Sequence, residues 1–232
     1  MKLDTIMSFP VTALWRRLLA VMILSLPTVP LFGQAANSPV AFANNDAITT
    51  TLVQATNIGQ SSGGSSSGDT KWLKVEIKYS VVLPPDAPKA AKYLDEVQFK
   101  IWIEGRDLLD PQSTNPDEGT AVGLTGSVTY VNVPAGRDVY GVFYVHPNAL
   151  GRYSSSRGAS DFDTSGKFDI HVEAYVGGKL MDRIDRKKGE TDGWHLQLKA
   201  VPNLVYRQNQ TPFLNVDVDR YPAIKLPDDS SK

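Results

Sequence analysis

Residues 168–185 read FDIHVEAYVGGKLMDRID, and the fold turns on this stretch. Phe168, Ile170, Val172, Ala174 and Val176 alternate with Asp169, His171, Glu173 and Tyr175, the two-residue period of a strand with one face buried. Gly177-Gly178 follows. A two-residue hairpin turn whose twist matches its strands needs positive φ, which glycine adopts without steric cost. Leu180 and Ile184 then carry an apolar stripe back along the return strand. The stretch is a β-hairpin, and the remaining segments are read for their ability to pair with it.

Upstream, Trp72 to Val82 alternates in the same way. Leu73, Val75, Ile77, Tyr79 and Val81 face one side, with Trp72, Lys74, Glu76, Lys78 and Ser80 on the other. Val97 to Glu104 places Val97, Phe99, Ile101 and Ile103 inward. Val122 to Val133 is a strand in which Gly123 and Gly126 predict a bulge or bend. Val139 to His146 is apolar on both parities, as befits a central strand covered on both faces. Ile48 to Ile58 is a Thr-rich first strand at an edge, and Trp194 to Ala200 is the last clear strand. Asp86 to Leu94 predicts a turn or two of helix, with Asp86 as cap and Pro88 in the first turn. Pro147 to Gly158 reads as loop. Residues 201–226 hold Pro202, Pro212 and Pro222 beside Leu204, Tyr206, Phe213 and Tyr221. That mixture is too broken for a helix and too apolar for a free tail, so an extended segment lying across the sheets is expected. About eight strands at this spacing predict an all-β, immunoglobulin-like sandwich of two sheets; a β-barrel is the alternative that alternation cannot separate from it.

The chain has 232 residues, with 24 basic against 25 acidic side chains, a balance that creates no field for nucleic acid or an anionic membrane. Cysteine is absent, which excludes disulfides, thiol nucleophiles, thiolate metal sites and a lipid-bearing cysteine. Such a domain must be held by core burial alone.

The N-terminus reads as an export signal over residues 1–35. Trp15-Arg16-Arg17 is the positive flank, Leu18 to Leu26 is the apolar run, and Gly33-Gln34-Ala35 offers small residues at a cleavage site. The run is shorter than the roughly 18 to 20 residues of a spanning helix, so no stable membrane insertion is expected after cleavage. The organisation that follows is a strand and a Ser/Gly-rich flexible loop over 36–68, a sandwich over 69–200, and an extended C-terminal segment with a polar tail over 201–232. The expected location is the periplasm or the outer cell surface.

The run DFDTSGKFD sets Asp161, Asp163 and Ser165 at alternate positions before Gly166, with Asp169 beyond. Hard oxygens at such intervals begin a calcium loop, making calcium the one cofactor the sequence suggests. The twelfth position, however, is Val172 where a bidentate Glu is required, and a strand follows instead of a helix. A polar turn is the preferred reading. Among the histidines His146, His171 and His195, only the pair His171 and Glu173, two apart on one strand face, has ligand geometry. His171 itself is expected to be solvated on an outer face. Neither an HExxH nor a GxSxG motif occurs, no catalytic residue is assigned, and the chain is read as not an enzyme. Trp102, Tyr140, Tyr144 and Tyr175 fall on outward parities and are the candidate binding residues, able to stack on sugars or anchor a partner protein unless the C-terminal segment covers them.

The runs DVYGVFYVHPNALGRY and HVEAYVGGKLMDRIDRKKGETDGW resemble a family of exported immunoglobulin-like proteins associated with type IV pilus machinery in bacteria of the verrucomicrobial kind. The likeness spans Trp72 to Leu226 and rests on no short motif. It implies a sandwich, an envelope location and a binding or structural role, with no catalytic residues to carry over. The expected function is therefore non-catalytic binding of an envelope protein, such as a pilus component. A calcium-assisted carbohydrate-binding module is the alternative.

Overall fold

A computed structural model describes residues 38–43, 46–55, 71–107, 109–110, 119–153, 168–186 and 193–226. The export signal, the Ser/Gly-rich loop, and Asp161, Asp163 and Ser165 lie outside the described residues. Within them the chain is a two-sheet β-sandwich with one short helix and no closed barrel. No described helix is long and apolar enough to cross a membrane.

Along the chain the strands are β1 (Val40–Phe42), β2 (Ile48–Gln54), β3 (Lys71–Val81), β4 (Tyr93–Asp107), β5 (Thr120–Pro134) and β6 (Gly136–Val145). After helix α1 (Pro147–Tyr153) come β7 (Ile170–Val176), β8 (Lys179–Arg186), β9 (Lys199–Pro202), β10 (Val205–Arg207) and β11 (Ala223–Ile224). The first sheet runs β1-β3-β6-β10, with β2 also paired to β3. The second runs β11-β5-β4-β7-β8, with β9 paired to β5. Every pairing is antiparallel except that of β5 with β9. Only Ala135 separates β5 from β6, so the chain passes from one sheet to the other almost without a loop.

The core lies between the sheets, where the alternation put it. Leu73, Val75, Ile77, Tyr79 and Val81 of β3 meet Val97, Phe99, Ile101 and Ile103 of β4, all buried. At the hairpin, Gly177 and Gly178 take φ of 56° and 77°, both in the left-handed region. The return strand departs from simple alternation. Ala174 pairs with Asp182 but Tyr175 pairs with Leu180, so Met181 is an extra residue. This bulge turns Leu180 outward while Ile184 stays half-buried, and the apolar stripe expected from both is broken.

Other expectations are corrected. Residues 86–94 form turns that lead into β4, without a helix, and the helix lies instead at Pro147–Tyr153, with proline at its first position. His146 caps that helix, its Nδ1 accepting the Asn148 N–H at 3.0 Å. Trp194–Gln197 is a 3-10 turn begun by Gly193 at φ 86°, and only Lys199–Pro202 is strand. The register of β4 with β5 runs unbroken past Gly123 and Gly126, so neither glycine marks a bulge. Gly126 instead permits close approach: a Cβ there would meet the Val205 carbonyl oxygen at 2.7 Å and its Cβ at 2.8 Å. Gly126→Ala should push β10 off the sheet and cost about 1–2 kcal/mol in urea unfolding. An unchanged midpoint would show that β10 can yield without loss.

The C-terminal segment crosses from the second sheet through β10 to the first, folds over that sheet's outer face and returns through β11. Glu76 of β3 clasps it. Its carboxylate accepts from Arg220 at 2.7 and 3.1 Å and from the Tyr221 hydroxyl at 2.7 Å, with Lys74 Nζ 3.3 Å away. Burial alone would raise the Glu76 pKa, but these partners outweigh it and hold the carboxyl below its ordinary value. A carboxyl depressed in the folded state contributes stability in full above its unfolded value, and loses it as pH falls through the folded one. Glu76→Gln should therefore lower stability by about 1 kcal/mol at pH 7 and by less at pH 3, in paired denaturant curves. A difference that is the same at both pH values would rule out the ionised clasp.

Candidate functional site

The outer face of the second sheet carries two adjoining features. In one cross-strand row, Trp102 of β4 stands opposite His171 of β7, and His171 stands opposite Asp185 of β8. In the next row, Lys100, Glu173 and Arg183 are neighbours in the same sense. The 3-10 turn lays His195 over the first row. The two imidazoles stack at 3.5 Å between centroids and 12° between planes, and Trp102 packs against both at 5.4 Å and 4.9 Å. His171 is therefore fully buried, contrary to the solvated position expected from its parity. Alternation locates a face but cannot show what later segment covers it.

Asp185 anchors this cover. Its Oδ1 accepts from Trp194 Nε1 at 2.8 Å and lies 2.7 Å from His171 Nδ1. Glu173 Oε1 lies 3.5 Å from His171 Nε2, while Glu173 Oε2 accepts the Tyr175 hydroxyl at 2.5 Å. Burial opposes charge on His171, but Asp185 and Glu173 outweigh it and raise its pKa. The buried His195, against a ring so disposed to charge, has its pKa lowered. His171 holds the Glu173 carboxyl below its ordinary value, with Tyr175 adding to the effect. Burial would raise the Asp185 carboxyl, but His171 and Trp194 pull it below. His171, Asp185 and His195 can each offer a ligand atom within 4.8 Å of the others. Of the groups gathered here, spacing in the sequence marks His171 and Glu173. Spacing alone does not tie Asp185 or His195 to this pair, because bringing them together needs the β7–β8 register and the 3-10 turn. His146 stands apart, edge-on against Trp72 at 4.6 Å.

Beside Trp102 a groove of about 490 Å³ opens between the sheet and the β9–β10 segment. Lys100, Trp102, Ser127, Tyr206, Arg207 and Gln210 are among its lining residues, and the charged ones, Lys100 and Arg207, are both cationic. Arg207 Nε donates to the Ser127 carbonyl at 2.8 Å, which ties the guanidinium to β5. Lys100 Nζ sits 4.4 Å from the Tyr175 ring centre.

The four candidate aromatics fall on two opposite faces. Trp102 and Tyr175 lie on the face just described, both half-buried. Tyr140 and Tyr144 lie on the outer face of the first sheet, beneath the C-terminal segment. Arg220 lies over the Tyr140 ring at 4.1 Å, and Phe213 stacks on Tyr144 at 4.9 Å. Tyr144 is 2% exposed, and burial pushes its hydroxyl up to about 12. Of the calcium candidates only Asp169 is described; it precedes β7, its carbonyl accepting the Glu104 N–H at 2.9 Å.

A protein-family model matches residues 44–228, from before β2 to past β11. The chain belongs to that family. The fold is similar to a crystal structure of a protein from Akkermansia muciniphila, with a TM-score of 0.63, 23% sequence identity, and coverage of 82% of this chain and 93% of that one. At that identity the likeness speaks for the shared sandwich alone. No curated protein sequence matches. Family membership thus accounts for the architecture, and the chemistry must be read from the residues on the sheet face.

Proposed function

We propose that the protein is a non-catalytic, exported component of the cell envelope that binds a protein partner through the groove beside Trp102. The observation that carries this reading is the composition of the groove. Its charged lining residues are both cationic, and Trp102 and Tyr206 present aromatic surface between them. A cleft of this kind suits an extended acidic segment, with carboxylates meeting Lys100 and Arg207 and an apolar side chain against the rings. The sequence resemblance points to components of the type IV pilus as the first partners to try.

Capture from an envelope extract by the wild-type chain and by Lys100→Glu/Arg207→Glu, followed by reconstitution with the purified partner, tests this. The expected result is a pilus or envelope protein bound about tenfold or more weakly by the charge-reversed variant, with wild-type affinity falling as salt rises. The variant's melting curve checks that it remains folded. Equal binding by both chains would overturn the groove as the contact. Retention on polysaccharide, lost on adding chelator and without any protein partner, would favour a calcium-assisted carbohydrate-binding module instead.

A further inference from the structure

We propose that His171, Glu173 and His195 bind a divalent transition-metal cation of the zinc type, with Asp185 and Tyr175 orienting the ligands from behind. The site adjoins the groove through Trp102 but is inferred from neither the groove nor any partner. It follows from accounting for each polar atom in the cluster. Asp185 has only acceptors to offer, so the 2.7 Å contact with His171 Nδ1 places the proton on that nitrogen. The neutral ring then carries its lone pair on Nε2, which is buried and has no hydrogen-bond partner. Facing it at 3.5 Å is Glu173 Oε1, another acceptor. Two lone pairs held against each other, that of His171 fully buried and that of Glu173 half-buried, call for something positive between them.

A metal ion meets that requirement with the spacing found. Two ligands about 2.0–2.1 Å from one ion at a tetrahedral angle stand roughly 3.3 Å apart. The 2.7 Å between His171 and Asp185 is by contrast a hydrogen-bond distance, which makes Asp185 the carboxylate behind a ligating histidine. Trp194 Nε1 steadies Asp185, and the Tyr175 hydroxyl steadies Glu173 by its other oxygen. His195 supplies the third ligand. It is 4% exposed and neither of its ring nitrogens has a hydrogen-bond partner. Its ring now lies parallel to His171, so it reaches the ion by turning out of the stack, with no hydrogen bond to break. A second proton on His171 would also satisfy Nε2 and Glu173, but it would leave both His195 nitrogens buried and unpaired beside a cation. Two imidazoles and one carboxylate suit zinc, copper or nickel and are a poor set for calcium. A fourth vertex remains for water.

The full chain, stripped with chelator, is titrated with zinc by calorimetry and melted with and without the ion. One equivalent should bind, and the melting temperature should rise by about 5 °C, while calcium leaves it unchanged. Glu173→Gln and His195→Ala should each lose tenfold or more in zinc affinity, and Asp185→Asn about tenfold through misorientation of His171. Cobalt substitution gives a reading that does not depend on stability: tetrahedral visible bands are expected in the wild-type chain and not in His195→Ala. If wild-type chain takes up no zinc, or if Glu173→Gln and His195→Ala bind it as wild type does, the site is not a metal site, and a second proton on His171 accounts for the cluster.

Discussion

Phe213→Ala is expected to lower the unfolding free energy by about 3–4 kcal/mol, the range for truncating a buried phenylalanine that the surroundings cannot refill. Phe213 is 6% exposed, stacked face to face on Tyr144 at 4.9 Å and meeting Trp72 edge-on at 5.9 Å. It is held there by its backbone: its carbonyl accepts from Gln208 Nε2 at 3.1 Å and its N–H donates to Thr211 Oγ1 at 3.2 Å. Because the segment is fixed on both sides of the ring, removal leaves a void instead of a collapse. Tyr144 and Val142, buried on that side of β6, lose their shelter together. Urea unfolding should show a lower midpoint, and amide exchange along Val142–Val145 should quicken more than along β4. A loss under about 1 kcal/mol would mean that the segment lies on the sheet without closing a second core, and the sandwich would then be stable without it.

This expectation was partly visible in the sequence, and the way it was visible shows what alternation can and cannot deliver. Val142 and Tyr144 share a parity opposite to that of Phe143 and Val145, so β6 demanded cover on both faces. The proline-broken run after Val201 was the apolar segment available to supply it. Both inferences rest on local composition, and the fold honours them. The inward faces of β3 and β4 were legible for the same reason: one period, uninterrupted, with one face dry. The failures share a different cause. Trp194 to Ala200 alternates like a strand, yet Gly193 starts a turn and the Trp194 indole is committed to Asp185, leaving Leu196 75% exposed. Leu180 and Ile184 lie on one stripe only until Met181 is seen as an insertion against β7. The candidate site lies where these two surprises meet. Its His171–Glu173 half sits on one strand and was readable by spacing. Its Asp185 and His195 half depends on a bulged register and a turn, both set by tertiary contacts.

Tyr130→Phe should cost about 2–3 kcal/mol, although it removes one oxygen and leaves the ring in place. The Tyr130 hydroxyl, wholly buried between the sheets, accepts the Val142 N–H at 2.8 Å. It takes this role because β10 pairs with β6 only along Phe143, Tyr144 and Val145, so the ladder stops one residue short of Val142. The ring reaches that position over Gly141, where a Cβ would stand 3.1 Å from its Cε2. Phenylalanine would keep the packing and strand the N–H in a dry interior, which costs the full desolvation of a buried donor. The alkaline limb gives a second, separable reading. Burial raises the Tyr130 hydroxyl well above its ordinary value of about 10, so the unfolded chain ionises first and stability falls as pH rises past that value. The variant has no such group and should show a shallower alkaline loss, while wild type and variant run parallel below pH 9. A variant within about 0.5 kcal/mol of wild type, with the Val142 amide still protected from exchange, would mean that another acceptor reaches this N–H. The link between the sheets at Val142 would then be apolar packing alone.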